Sequence, residues 1–280
     1  MTGNRQMGWN AVSPHGVVAA GSAEAVAAGI SSLAAGGNAA DAAVATILAL
    51  TVTEHGQCSI GGEVPLLIYD AKGHQVKSLS GQGRAPLSRE AVDWYLKHGI
   101  PGDGDIKMAP VPSVVDLCVT TLQRYGTRTL AEVVAPTLAL LDRGTEPWSA
   151  KLAVTLRRLL ADEAARPGNR EERLQAAADR FYGRNHARTD IADDLEAYYI
   201  EKGGFLRKAD LAAHVTTVEG AGNGRVQGIH GLQVRAVDAR AVPLPGSAAA
   251  GGVRPQGNGV TVGGLHPCRG RSHQTGDGRP

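Results

Sequence analysis

Residues 36–62, GGNAADAAVATILALTVTEHGQCSIGG, constrain this chain more than any other stretch. A glycine pair stands at each end, and between them the small and aliphatic residues from Ala39 to Val52 go all the way round a helical wheel. A helix without a polar stripe belongs inside, covered on every side. Asn38 suits the N-cap, and Asp41 three residues later places a carboxylate in the first turn, where it answers free N–H groups and the positive end of the helix dipole. At roughly 14 residues the run is too short to cross a bilayer, which needs about 20.

The rest of the chain is arranged around that helix. Residues 16–20 (GVVAA) suit a short buried strand, and Ser22 caps a helix whose Val26, Ile30 and Leu33 share a face, with Gly36 or Gly37 as its left-handed stop. Residues 66–69 and 75–79 read as a hairpin around Ala71-Lys72-Gly73, the glycine taking the positive φ. Residues 81–86 (GQGRAP) interrupt regular structure. Ser88 opens a helix that ends near Gly99, with Leu87 and Val92 placed as a hydrophobic staple. Ser113 and Asp116 open another that runs to Gly126, and Thr129 with Glu132 forms a capping box before a segment that Pro136 kinks or splits. Helical patterns continue over residues 149–163, 170–180, 189–202 and 207–214. A helical layer packed on strands from the first third predicts an α+β fold.

Residues 219–280 differ in kind. They hold 15 of the 37 glycines, no aromatic residue and no lysine. Such a composition buries too little apolar surface to offset chain entropy, so an unfolded tail is expected from residue 219, with only residues 231–237 hinting at a strand. The natural division is therefore 1–218 and 219–280.

With 29 basic against 27 acidic residues the chain lacks the electrostatic footprint of a nucleic-acid binder. Cys58, Cys118 and Cys268 are odd in number and far apart, which suits ordinary thiols rather than a disulfide framework or zinc site. The first residues lack the apolar centre of a secretory signal, so a cytoplasmic location and no membrane contact are expected. Gly61-Gly62 precedes a strand rather than a helix, the wrong order for a phosphate loop. His55 beside Glu54 reads as structural, Asp103 and Asp105 as a solvated turn without the remaining calcium ligands, and Tyr198 and Tyr199 as one surface ring and one packed ring. Arg84 stands out. In a glycine-flanked turn after a strand, a guanidinium can grip a carboxylate in two places; the spacing alone equally allows an ordinary surface arginine.

A set of ordered blocks resembles one family. GVVAAGSAEAVAAGISSLAAGGNAADAAVA, SIGG, GRAP, VPSVVDL, QRYGT, AEVVAPTLALLDRG and GGFLRKADLAAH are similar, in the same order over about residues 12–218, to the N-terminal large-subunit region of the gamma-glutamyltransferases. The resemblance implies an N-terminal-nucleophile hydrolase fold, an αββα sandwich of which only the large-subunit part is represented. It implies transfer or hydrolysis of a gamma-glutamyl or related amide by the N-terminal threonine of a small subunit, with no metal or organic cofactor. The partners implied are a small-molecule amide substrate and that small subunit. Three departures stand beside it. Glu63, Val64 and Pro65 follow the glycine pair where the family carries more glycines. Gln82 occupies the place of the arginine that holds the substrate's carboxylate in the family's R-E-x-A-P pattern, with Arg84 as the candidate substitute two residues on. The threonine block is absent: Thr216 and Thr217 lie inside the large-subunit region without its glycine-threonine-threonine-histidine setting, so the sequence assigns no catalytic residue. A non-enzymatic binding fragment and an acylase with altered carboxylate recognition remain as alternatives.

Overall fold

The computed structural model describes residues 11–102, 104–144, 146–185, 188–226 and 229–233. In chain order the elements are α1 (Ala23–Ala34), α2 (Ala39–Thr53), β1 (Leu66–Asp70), β2 (Gln75–Ser80), α3 (Arg89–His98), a 3-10 turn (Ile106–Met108), α4 (Val114–Tyr125) and α5 (Leu130–Asp142). They continue with α6 (Ser149–Ala165), α7 (Arg170–Tyr182), α8 (Asp190–Glu201), α9 (Lys208–Ala213), β3 (Thr217–Gly220), β4 (Gly222–Val226) and β5 (Ile229–Gln233).

The helix expected at the centre is there. Asn38 and Asp41 form a reciprocal capping box at the start of α2, which packs against α1, α4 and α5. Asp41 is fully buried, and its carboxylate also accepts the Thr127 N–H at 2.9 Å, the Thr127 hydroxyl at 2.7 Å and the Arg128 N–H at 3.0 Å. One side chain thus caps α2 and ties it to the turn between α4 and α5. The core runs from Val44, Leu48 and Val52 of α2 through Val115 and Leu122 of α4 and Val134 of α5 to Leu159 and Leu174 of α6 and α7. The cover is not complete, however. Ala39 is exposed and Ala43 and Ile47 are half-buried, so one stripe of α2 faces a groove of about 570 Å³ shared with Val17, Val18 and Leu66.

β1, β2 and β3 form an antiparallel sheet in that order, with Leu66 opposite Leu79 and Ser80 opposite Thr217; β4 and β5 pair separately. Leu79 is buried on the side of α4. On the other face Leu67 is 38% and Tyr69 60% exposed, whereas Ser78, opposite Leu67, is buried.

Several expectations are corrected. Residues 16–20 form no strand: Val17 is exposed, and the run lines the groove beside Leu66 of the edge strand β1 without pairing to it. In the β1–β2 turn the positive φ falls on His74, not Gly73. Pro136 does not split α5, which runs on to Asp142. Residues 219–220 continue β3 and residues 222–226 and 229–233 form strands, so the chain beyond 218 is ordered at least that far, because backbone pairing does not need the large side chains this segment lacks. Residues 234–280, with most of the expected tail and Cys268, lie outside the described residues, as does Asp103. Asp105 accepts the Lys107 N–H at the head of the 3-10 turn, and Tyr199 is packed while Tyr198 lies at the surface. Among the described residues no helix is long and apolar enough to cross a membrane.

Candidate functional site

Residues 81–88 leave the end of β2 as an irregular segment, and its shape follows from its two glycines. A Cβ on Gly81 would lie 2.0 Å from the Val64 carbonyl oxygen, and one on Gly83 2.1 Å from that of Val111. Only glycine lets the backbone pass that close to two neighbouring chains. The proximity is then used. The Val64 N–H donates to Gly81 O at 2.8 Å, the Ser113 hydroxyl lies 2.6 Å from the same oxygen, and the Val111 N–H donates to Arg84 O at 3.0 Å. Two carboxylates hold further N–H groups: Gly83 donates to Glu63 Oε1 at 2.6 Å and Leu87 to Asp210 Oδ1 at 2.7 Å. Asp210 also accepts the Arg207 N–H at the start of α9, so one buried carboxylate couples that helix to the segment.

The two residues singled out by sequence emerge from this fixed backbone on different terms. Arg84 is exposed, and its guanidinium makes no hydrogen bond or ion pair among the described residues. Gln82 is half-buried, and its Oε1 is shielded from solvent without a hydrogen-bond partner among them. An acceptor left in that state costs on the order of 1–3 kcal/mol, so it marks a place where a donor belongs.

Beneath the segment lies a buried ionic cluster that sequence reading missed. Arg184 Nη1 meets Asp116 Oδ1 at 2.8 Å, and the other Asp116 oxygen accepts the Thr216 N–H at 2.7 Å. Asp116 was expected to help open α4; its side chain instead reaches across to residues 68 and 100 positions away, separations that leave no local pattern. Arg184 also donates to the backbone oxygens of Ala212 and His214, and its guanidinium stacks 4.4 Å from the Tyr182 ring centroid. The His214 ring packs against Tyr182 at 5.7 Å, and neither of its nitrogens has a partner among the described residues. Burial pushes its pKa down to about 4; Asp116 opposes that shift, while Arg184 and Arg84 reinforce it. His214 is therefore neutral at pH 7.

Thr216 is buried and Thr217 lies in β3, both with their backbone nitrogens in peptide bonds, so neither carries the free amine that a threonine nucleophile of this kind uses as base. His55 stacks edge-on against Trp148 at 5.3 Å, as a structural residue does. Among the described residues no group of three or more histidine, cysteine, aspartate or glutamate side chains could hold a metal ion. What the site provides is one rigid wall: a pinned backbone, a free guanidinium, an orphan amide oxygen and a carboxylate.

Comparison with known proteins agrees with the architecture. The gamma-glutamyltranspeptidase family profile matches residues 25–239, which carries the likeness past residue 218. The glutathione hydrolase proenzyme of Bacillus subtilis (strain 168) is 31% identical over 114 residues, 39% of this chain and 19% of that protein. The acylase ACY 1 proenzyme of Pseudomonas sp. (strain V22) is 34% identical over 143 residues, 48% of this chain and 26% of that protein. The chain thus matches about a fifth to a quarter of these relatives' length. The crystal structure of Helicobacter pylori gamma-glutamyltranspeptidase superposes with a TM-score of 0.64 at 22% identity, covering 81% of this chain and 71% of that one. That likeness shows the fold, the N-terminal part of an N-terminal-nucleophile hydrolase.

Proposed function

Since the chain belongs to the gamma-glutamyltranspeptidase family, we propose that it is the large-subunit part of an enzyme that transfers or hydrolyses a gamma-glutamyl or related amide group. The nucleophile is the N-terminal threonine of a small subunit, with its own amine as base, and the acyl group passes to water or an amine acceptor. The large subunit supplies one wall of the pocket, residues 81–88.

The observation that supports this reading is a pair of exposed apolar side chains on one face of the β1–β2–β3 sheet. Leu67 and Tyr69 stand there exposed on the edge strand β1, with Val76 opposite Tyr69. Two sheets packed face to face lie about 10 Å apart and bury such residues between them. A second sheet from a small subunit completes the sandwich and brings the threonine to the pocket.

Gln82 favours a second reading, an acylase. A neutral amide in place of an arginine fork removes a charge-assisted pair worth on the order of 2–3 kcal/mol, roughly a hundredfold in affinity for a carboxylate-bearing substrate. Two of the relatives are named acylases, at 34% and 36% identity.

Hydrolysis of a chromogenic gamma-glutamyl anilide tests the proposal, with mass spectrometry for self-cleavage. The 280-residue chain alone is expected to do neither, whereas the chain joined in frame to a small-subunit half carrying the threonine does both. Turnover by the unextended chain above a heat-treated control overturns the reading. Faster hydrolysis of a plain acyl anilide by the completed protein selects the acylase form.

A further inference from the structure

We propose that α3 is a self-association surface through which two copies of this chain pair, helix against helix and antiparallel, about a two-fold axis.

One side of α3 holds it to the rest of the chain. Ala91 is buried, the Trp94 and Tyr95 rings each lie 5.6 Å from the Phe205 ring, and the Tyr95 hydroxyl donates to Lys107 O at 2.5 Å. The other side is apolar and faces water. Val92 and Leu96 stand one turn apart on it, and Ile100 follows just past the helix end. Leu96 is 79% and Ile100 78% exposed, and among the described residues only Val12 is a more exposed large apolar side chain. Leu87, also exposed, precedes the Ser88 cap at the opposite end. A joined apolar strip of this kind marks an interaction surface.

The charges decide what covers it. Glu90 stands in the first turn and Lys97 in the last, seven residues apart and so on the same flank of the strip. Neither has an ion-pair partner among the described residues. A helix with acid at its start, base at its end and apolar residues between them is complementary to itself turned round. In the antiparallel pair Glu90 of each copy comes beside Lys97 of the other, Val92 comes opposite Leu96, and Leu87 reaches Ile100. Arg89, the remaining cation on this side, is drawn aside by Asp93 at 2.9 Å and comes opposite Gly99, which has no side chain to meet it. The two helix dipoles then run in opposite directions, the favourable arrangement. Ten residues make a contact about 15 Å long, smaller than a standard interface, so the dimer is weak, with a dissociation constant of roughly 10–100 μM.

Sedimentation velocity of the full 280-residue chain tests this, in a background of Leu67→Lys with Tyr69→Lys that removes association through the sheet face. A closed two-fold contact stops at two copies. Leu96→Glu is expected to leave a monomer with an unchanged melting temperature, since that side chain already faces water. Glu90→Lys and Lys97→Glu should each weaken the dimer about tenfold, because two like-charged pairs replace two attractive ones, and combining them should restore it to within about twofold. Within one helix residues 90 and 97 lie about two turns apart and do not touch, so a merely structural loss is not repaired by the swap. A chain that sediments as a monomer up to about 200 μM, or a double variant as weak as either single one, overturns the inference. Loss of the dimer on joining the chain to a small-subunit half also overturns it, and assigns α3 to that half instead.

Discussion

At the scale of single residues, the two most constrained ionisable groups respond to acid in different pH ranges. Burial by itself would raise the Asp41 carboxyl, but hydrogen bonds from the Asn38 and Arg128 N–H groups and from Thr127 outweigh it and hold the group below its ordinary range. Its contribution to stability is present above the unfolded value of 3.8 and is lost only as pH falls through the still lower folded one. His214 acts earlier. With a folded pKa near 4 against 6.5 unfolded, it costs nothing at pH 7, but below 6.5 the unfolded chain gains a proton that the folded chain refuses. The folded state should therefore lose on the order of 3 kcal/mol between pH 6.5 and 4. The charged groups that set this balance are Asp116, Arg184 and Arg84. Melting temperature followed over that range should fall in the wild type and fall much less in His214→Phe, which keeps a ring against Tyr182. Equal slopes for the two proteins would mean that His214 is protonated in the fold.

At the scale of elements, helix ends and loops are held by side chains from elsewhere in the chain. The N-terminus of α5 carries its own capping box, Thr129 with Glu132, and receives a second carboxylate from α6, where Glu163 accepts the Leu130 and Ala131 N–H groups at 2.7 and 3.0 Å. Both place negative charge at the positive end of the helix. Residues 81–88 are tethered at five points, and Gly83 sits among them with the Val111 carbonyl where a Cβ would go. Gly83→Ala must push that backbone away and lengthen the Arg84–Val111 bond. Overpacking of this kind costs about 1–3 kcal/mol. The urea midpoint should drop accordingly, and a variant within about 0.5 kcal/mol of wild type, the range of ordinary surface changes, would show that the loop is slack.

For the whole molecule, the consequence is an incomplete pair of layers. β1 and β3 are both edge strands, one sheet face shows Leu67 and Tyr69, and α2 leaves a stripe open to the groove beside Val17. Unpaired edges and joined apolar patches promote association. Light scattering of the isolated chain should show growth with concentration, and Leu67→Lys with Tyr69→Lys should suppress it without lowering the melting temperature, since both side chains already face water. A chain that stays monomeric at about 100 μM, within the range where exposed apolar surface drives aggregation, would count against an unfilled sandwich.

What could be read from the sequence is what local chemistry decides. The caps at Asn38, Ser88 and Thr129, the extents of α6 to α9 to within a few residues, the β1–β2 hairpin and the loop with Gln82 and Arg84 all follow from side chains acting on backbone a few positions away. The family likeness added the fold class, because ordered blocks carry more information than any one motif. Tertiary structure decided the rest. No periodicity shows that residues 16–20 stay unpaired beside the edge strand β1, or that α2, apolar all round, keeps one stripe open. Asp116 looked like a helix opener because its partners, Arg184 and Thr216, are 68 and 100 residues away. Glu63 looked only like a departure from a glycine run until the fold set it against Gly83. Long-range pairs like these depend on where the chain returns, and that is fixed by the packing of all the elements together.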